Sequence, residues 1–278
     1  MESNGLIRFQ EETLKKPLTT SSRSLNNLLN GGFPSVLNEI FGPPGIGKTQ
    51  LCIQLSLNVQ LPSSLGGLEG EAIYIDTEGS FTLERVEEMA RHICKKLNKS
   101  LLTSVEKFLS NIHYFRIFDL NENIAIFNAL DEYIKKNKKI KLIVIDSIAF
   151  HFRSSFTDLG LRSRILNTLS QKLMKLASDF NLVIVLVNQM TTKLIKGGNC
   201  STLVPALGDS WGHSCTNRIL LFWEDGIRNA TLVKSPNMKV NTVQFEILNE
   251  GISDISTLNV PNVVSRKRPF EEEQNNQR

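Results

Sequence analysis

Short apolar runs alternate along the chain with longer segments in which apolar residues recur every three or four positions. The runs occupy 37–41, 72–76, 112–117, 141–146 and 182–188. Between them, Leu83, Val86, Ala90, Ile93 and Leu97 form one stripe at helical spacing, and Leu161, Ile165, Leu169, Leu173 and Leu176 form another. Strand and helix in regular alternation predict an α/β fold, a mostly parallel sheet with helices on both faces. After Arg218 the helical spacers stop. The runs 218–224, 230–234 and 243–248 follow one another closely, the first two bridged by Asp225 and Gly226, which reads as a C-terminal antiparallel extension of the sheet. The polar ends set the expected boundaries: a flexible N-terminal arm over 1–20, a core over 21–255, and a tail over 256–278 rich in Asn, Glu and Gln.

Composition keeps the chain among ordinary folded proteins. It has 278 residues, of which 41% are hydrophobic and 22% charged, and a net charge of 32 − 28 = +4 that only weakly favours an acidic partner. The longest apolar stretches, such as 182–187, have six residues, where a membrane-spanning helix needs roughly 20. The opening MESNGLIRFQEE has no apolar signal core. Neither secretion nor membrane insertion is expected. Cys52, Cys94, Cys200 and Cys215 lie far apart with no C-x-x-C pair, which suggests reduced intracellular thiols rather than a zinc site or a disulfide framework.

The chemistry concentrates after the first run. Gly42-Pro43-Pro44-Gly45-Ile46-Gly47-Lys48-Thr49 is a complete G-x-x-x-x-G-K-T, followed by a helical stretch with Leu51, Leu55 and Val59 on one face. In such a loop the glycines let backbone N–H groups turn inward around phosphate oxygens, and the helix N-terminus adds a positive dipole. The lysine reaches the β- and γ-phosphates, and the threonine hydroxyl holds Mg²⁺. The expected ligands are therefore ATP and Mg²⁺. Three further residues stand at the carboxyl ends of the expected parallel strands, the edge at which open α/β sheets bind ligands. Asp146 ends the run 141–146, where an acid orients Mg²⁺ through water. Glu78 lies two residues beyond the run 72–76, placed to orient or deprotonate an attacking water. Gln189 follows the run 182–188, its amide placed to contact the γ-phosphate and report hydrolysis to the next loop. Alone, Glu78 would be an ordinary surface carboxylate and Gln189 weak evidence.

Longer blocks carry a resemblance. GGFP (31–34), GKTQLC (47–52), GLEGEAIYIDTEGSF (67–81), IDSIAFHFR (145–153), NQMTTK (188–193) and LVPALGDSWGH (203–213) together resemble the ATPase core of the RecA family. Within it they are most similar to the C-type paralogues of the eukaryotic strand-exchange recombinase. The resemblance spans roughly residues 20–268 and implies a RecA-like P-loop core. It also implies a DNA-dependent ATPase of homologous recombination and double-strand break repair, meiotic recombination included, acting in the nucleus with other recombinase paralogues on single-stranded or branched DNA.

By residue, the resemblance implies catalysis by Glu78 with Lys48 and Gln189, and nucleotide contacts from 42–49, Gln50 and, beside the adenine, Arg85. It implies two DNA-facing loops, 152–164 with Arg153, Arg162 and Arg164, and 191–205 with Lys193 and Lys196. Arg266-Lys267-Arg268 reads as a nuclear-import cluster. Only about 35 residues precede the P-loop strand, so the family's N-terminal helical domain is expected to be lacking, and no Phe-x-x-Ala precedes the P-loop. Lys234 stands before Ser235-Pro236, where the recombinase has an acid, and is expected to pair with a neighbouring subunit's phosphates or acids. The alternative from a different class is an assembly scaffold whose ATP is structural and rarely hydrolysed.

Overall fold

The five expected parallel strands are β1 (Leu37–Phe41), β2 (Glu71–Asp76), β3 (Ile112–Arg116), β4 (Ile140–Asp146) and β5 (Val183–Asn188) in a computed structural model that describes residues 15–97, 104–156, 158–194 and 201–256. They pair in parallel in the order β1-β5-β4-β2-β3. Next, β6 (Met190–Leu194) and β7 (Ser201–Pro205) leave the sheet as a separate antiparallel hairpin. The chain returns as β8 (Asn217–Glu224), which lies parallel to the free side of β1, with Asn38 opposite Asn217 and Phe41 opposite Leu220. Only from β8 onward does the antiparallel extension run, through β9 (Ile227–Lys234), β10 (Asn241–Leu248) and β11 (Gly251–Ser253).

Both faces of the parallel strands are covered, which explains why their sequences read as unbroken apolar runs rather than alternating ones. Ala72, Tyr74, Leu142, Val144, Val183 and Val185 face one core with α1 (Arg23–Leu28), α2 (Lys48–Asn58), α3 (Leu83–Lys96) and α4 (Val105–Ser110). Ile73, Ile75, Ile143, Ile145, Ile184 and Leu186 face the other, with α5 (Leu120–Lys136), α6 (Ala149–Ser154), α7 (Leu159–Phe180) and α8 (Asp209–Ser214). Both expected helical stripes form, but Leu83 and Leu161 at their heads are exposed. Each falls in the first turn of its helix, and burial starts only at Val86 and Leu166. The packed body also starts inside the expected arm: fully buried Leu18 bridges Phe33, and Thr19 N–H donates to Gly66 O at 3.1 Å. At the far end the Asp254 carboxylate accepts from Ser22 Oγ at 2.5 Å and from the Arg23 and Ser24 N–H groups at 3.0 Å, closing the start of α1 onto the end of the sheet.

One charged residue sits in the middle of this apolar packing. Glu39 of β1 has no exposed surface. Its carboxylate accepts from Asn188 Nδ2 at 2.7 Å and Trp211 Nε1 at 3.0 Å and pairs with Arg218 Nε, whose guanidinium lies over the Phe41 ring at 4.9 Å. Through one side chain β1 is thus tied to β5, β8 and α8. Removing one partner of a buried ion pair leaves the other charge uncompensated. The Glu39→Ala variant is therefore expected to lose about 3 kcal/mol of stability, read as a lower urea midpoint at unchanged slope, and pairing it with Arg218→Met should restore part of the loss.

Candidate functional site

β1 delivers the chain into the phosphate loop, and the sheet dictates the loop's shape. A Cβ at Gly42 would stand 2.2 Å from the Leu221 carbonyl oxygen of β8, so only glycine lets the two backbones pass. Gly47 opens α2 at φ 113°, a left-handed conformation, with the Ile247 methyl 2.3 Å from where its Cβ would be. Fully buried Ile46 pins the loop to the core. Lys48 Nζ donates to Gly42 O and Pro43 O, both at 2.9 Å, which holds the ammonium inside the loop. Burial lowers the Lys48 pKa, and the nearby Asp146 and Glu78 carboxylates oppose that shift.

Beside the loop opens a cavity of about 530 Å³, lined by P-loop residues together with Gln50, Glu78, Ser80, Asp146, Arg153 and Gln189. Asp146 is buried at the end of β4 and accepts from Thr49 Oγ1 at 2.7 Å and from Tyr74 OH at 2.9 Å. The neighbouring strand end is organised by Asp76. Its carboxylate accepts the N–H groups of Glu78, Gly79, Ser80 and Phe81 at 2.7–3.3 Å and Tyr114 OH at 3.0 Å, closing the chain into a tight turn. Thr77 locks that turn to β4, donating to Ser147 O at 2.9 Å and accepting Ser147 N–H at 2.8 Å. Glu78 is carried by the turn to the cavity wall, where its Oε1 accepts from Ser147 Oγ and, at 2.6 Å, from Gln189 Nε2. Asp76, Tyr74 and Ser147 were not among the sequence candidates. The partners of Tyr74 and Ser147 lie some 70 residues away along the chain, whereas Asp76 binds mainly its own following turn, and its one local signal was a polar residue closing an apolar run.

The remaining candidates are placed less simply. Gln50 lines the cavity, but Arg85 stands one layer back: it donates to Gln50 Oε1 at 2.6 Å, Leu248 O at 2.6 Å and Asn249 O at 2.8 Å, and so buttresses Gln50. Arg153, expected on a DNA-facing loop, lines the nucleotide cavity. Arg162 and Arg164 are not on a loop either. Asp158 caps the N–H groups of Gly160 and Leu161 at 2.7 and 3.1 Å and starts α7 at Leu159, so both arginines are helical. Arg162 is half-buried and Arg164 exposed. The expected second loop is largely the β6–β7 hairpin, with Lys193 in β6. Lys196 and the cluster Arg266, Lys267 and Arg268 lie outside the described residues. Lys234 is turned inward, donating to the carbonyls of Gly212, His213 and Cys215 at 2.7–3.1 Å across the end of α8.

The geometry suits a nucleoside triphosphate with Mg²⁺. Among the described residues no group of three or more His, Cys, Asp or Glu is placed to hold a metal ion alone. Thr49 and Asp146 instead offer adjacent oxygens of the kind Mg²⁺ uses when phosphates and water complete its shell.

A family model described as Rad51 matches residues 11–255. The chain belongs to the Rad51 family. It is 41% identical over 270 residues to DNA repair protein RAD51 homolog 3 of Dictyostelium discoideum, covering 92% of this chain and 71% of that one. The same protein of Cricetulus griseus is 41% identical over 264 residues, 90% of this chain and 72% of its own. DNA repair and recombination protein RadA of Aeropyrum pernix is 37% identical over 254 residues, 89% of this chain and 76% of its own. This Rad51-family chain is thus a RecA-family recombinase paralogue, with the mostly parallel sheet and C-terminal antiparallel strands described above.

Burial raises the Asp146 pKa from 3.8 to about 6, against the opposing hydrogen bonds from Thr49 and Tyr74. The folded chain therefore holds a proton here that the unfolded chain releases between these two values. Stability falls as pH rises through that window, and the penalty is complete above about 6. Asp146→Asn is expected to stabilise the nucleotide-free chain by up to about 3 kcal/mol near neutral pH. The gain should fade below about pH 4, as denaturant midpoints of both proteins across the range would read.

Proposed function

We propose that the chain is an ATP-dependent, DNA-binding recombinase paralogue that acts in homologous recombination and double-strand break repair, including meiotic recombination, in the nucleus and within a hetero-oligomer of paralogues. The observation that carries this reading is the meeting of Thr49, Asp146, Glu78 and Gln189 with the P-loop around one cavity, in a member of a family of DNA-dependent ATPases. The relatives' names, which speak of DNA repair and recombination, support the cellular role. Among the described residues no helix is long and apolar enough to cross a membrane.

In this reading the P-loop N–H groups, the start of α2 and Lys48 bind the phosphates, and Gln50, buttressed by Arg85, borders the nucleoside. Thr49, and Asp146 through water, would hold Mg²⁺, which would supply neutralisation of the phosphate charge. Glu78 orients a water and takes its proton as it attacks in line, and Gln189 contacts the γ-phosphate and passes its presence to β6. The carboxylate of Glu78, solvent-accessible at the cavity wall and oriented there by Ser147 and Gln189, favours hydrolysis over a purely structural nucleotide. Single-stranded or branched DNA is taken along α7 and the β6–β7 hairpin, where Arg162, Arg164, Lys193 and Lys196 track the phosphate backbone. Arg266, Lys267 and Arg268 serve nuclear import.

Two experiments test this reading. Glu78→Gln keeps size and hydrogen bonding but removes the base, so ATP affinity should stay near wild type while single-turnover hydrolysis falls by at least about a hundredfold. Lys48→Ala, by contrast, should weaken nucleotide binding itself. For DNA, replacing Arg162, Arg164, Lys193 and Lys196 together should weaken oligo-dT binding and flatten its salt dependence by about 0.7 log unit for each phosphate no longer neutralised. ATP binding should survive, and an unchanged slope in fluorescence anisotropy titrations would remove DNA contact from these elements.

A further inference from the structure

Arg153 is the sequence candidate that the structure reassigns most sharply, because its guanidinium lies in the nucleotide cavity. Arg153 Nη1 donates to Gln189 Oε1 at 2.6 Å, Gln189 Nε2 donates to Glu78 Oε1 at 2.6 Å, and Ser147 Oγ donates to the same oxygen. The direction of this chain is chemically forced. A guanidinium has only donors, so it takes the amide oxygen of Gln189 and turns the NH₂ end toward the carboxylate. Two donors then compete with a water for Glu78 Oε1.

The backbones on either side are fixed. Fully buried Phe152 anchors α6 and stacks on Phe156 at 5.9 Å, and Gln189 O accepts Ala206 N–H at 2.9 Å. What is left to move is the arginine side chain and the amide it orients. Arg153 is itself an exposed residue, so an anion from solution can approach it. A phosphodiester competes well for it, since a charge-assisted, bidentate pair with phosphate outweighs one bond to a neutral amide oxygen.

We infer that Arg153 is a positioning residue for hydrolysis: in the DNA-free protein it holds the Gln189 amide against Glu78, and a nucleic-acid phosphate that takes its guanidinium releases both. The inference rests on the reading of Glu78 and Gln189 given above. It makes the arginine the element through which DNA governs turnover, with no displacement of strand or helix required.

The test compares the wild-type chain with Arg153→Met and Arg153→Lys, thermal melts serving as the check on folding. Phosphate release is measured with and without oligo-dT, labelled oligo-dT reports binding, and the ¹⁵N side-chain amide resonance of Gln189 reports the contact independently of turnover. In Arg153→Met, hydrolysis without DNA should rise about threefold to tenfold and the stimulation by oligo-dT should shrink toward one, while Arg153→Lys keeps part of it. The Gln189 resonance should move when wild type binds oligo-dT and should already be displaced in Arg153→Met.

Slower DNA-free hydrolysis in Arg153→Met with an unchanged stimulation ratio would overturn the inference, because the guanidinium would then act on the nucleotide. An amide resonance that stays put while oligo-dT binds would overturn it as well. If the resonance moves but the chain releases no phosphate, the hydrolysis reading fails and the contact stands. If wild type binds no oligo-dT, DNA binding by the lone chain and the release both fail.

Discussion

A carboxylate buried at the end of a central parallel strand has to be surrounded by donors, and this fold buries two of them side by side. Asp76 and Asp146 are register partners at the ends of β2 and β4. No single contact satisfies either one. Asp76 gathers four backbone N–H groups and thereby folds the turn that carries Glu78. Asp146 takes hydroxyl protons from Thr49 and Tyr74 and thereby draws the start of α2 against β4. The cavity wall is the outcome of these two demands. Residues of the phosphate chemistry are placed by groups that need never touch phosphate.

A similar demand organises the other side of β1. Glu39 is buried where an apolar residue would be cheaper, and its partners come from β5, β8 and α8. Breaking such a group is costly while its presence adds little net stability, so its value lies in specifying which elements lie next to β1. Lys234 plays a related part nearby, gathering three carbonyls at the end of α8, where its charge complements the helix dipole. A cation that the family comparison suggested for a neighbour is thus occupied within its own chain.

The parallel sheet was legible because strand and helix periods alternate without interruption from 37 to 188, and the phosphate loop because its motif sits between a strand and a helix. Asp146, Glu78 and Gln189 stand at or just beyond the carboxyl ends of apolar runs and do line one cavity, although position alone singled out Glu78 and Gln189 only weakly. The parallel pairing of β8 with β1 was not legible, since nothing local distinguishes a strand that returns to an open edge from one that begins a hairpin. Asp76 was hidden for another reason: a carboxylate that binds its own following turn looks in sequence like an ordinary strand end. The arginines were misplaced by treating the stretch after Phe152 as loop. Asp158, which accepts from N–H groups two and three residues ahead, is a helix-start signal, and it moves Arg162 and Arg164 onto α7.

The close passage of Gly42 beneath Leu221 means that the phosphate loop is moulded by strands that come much later in the chain. Ile247 presses on Gly47 from the same C-terminal strands, and the carbonyls of Leu248 and Asn249 hold Arg85 against Gln50. The nucleotide pocket is therefore shaped from both halves of the chain. Its motif is complete by residue 49, but its mould includes Leu221 and Ile247 of the C-terminal strands, so a substitution that enlarges a side chain there crowds the loop from a distance of some 180 residues or more in sequence.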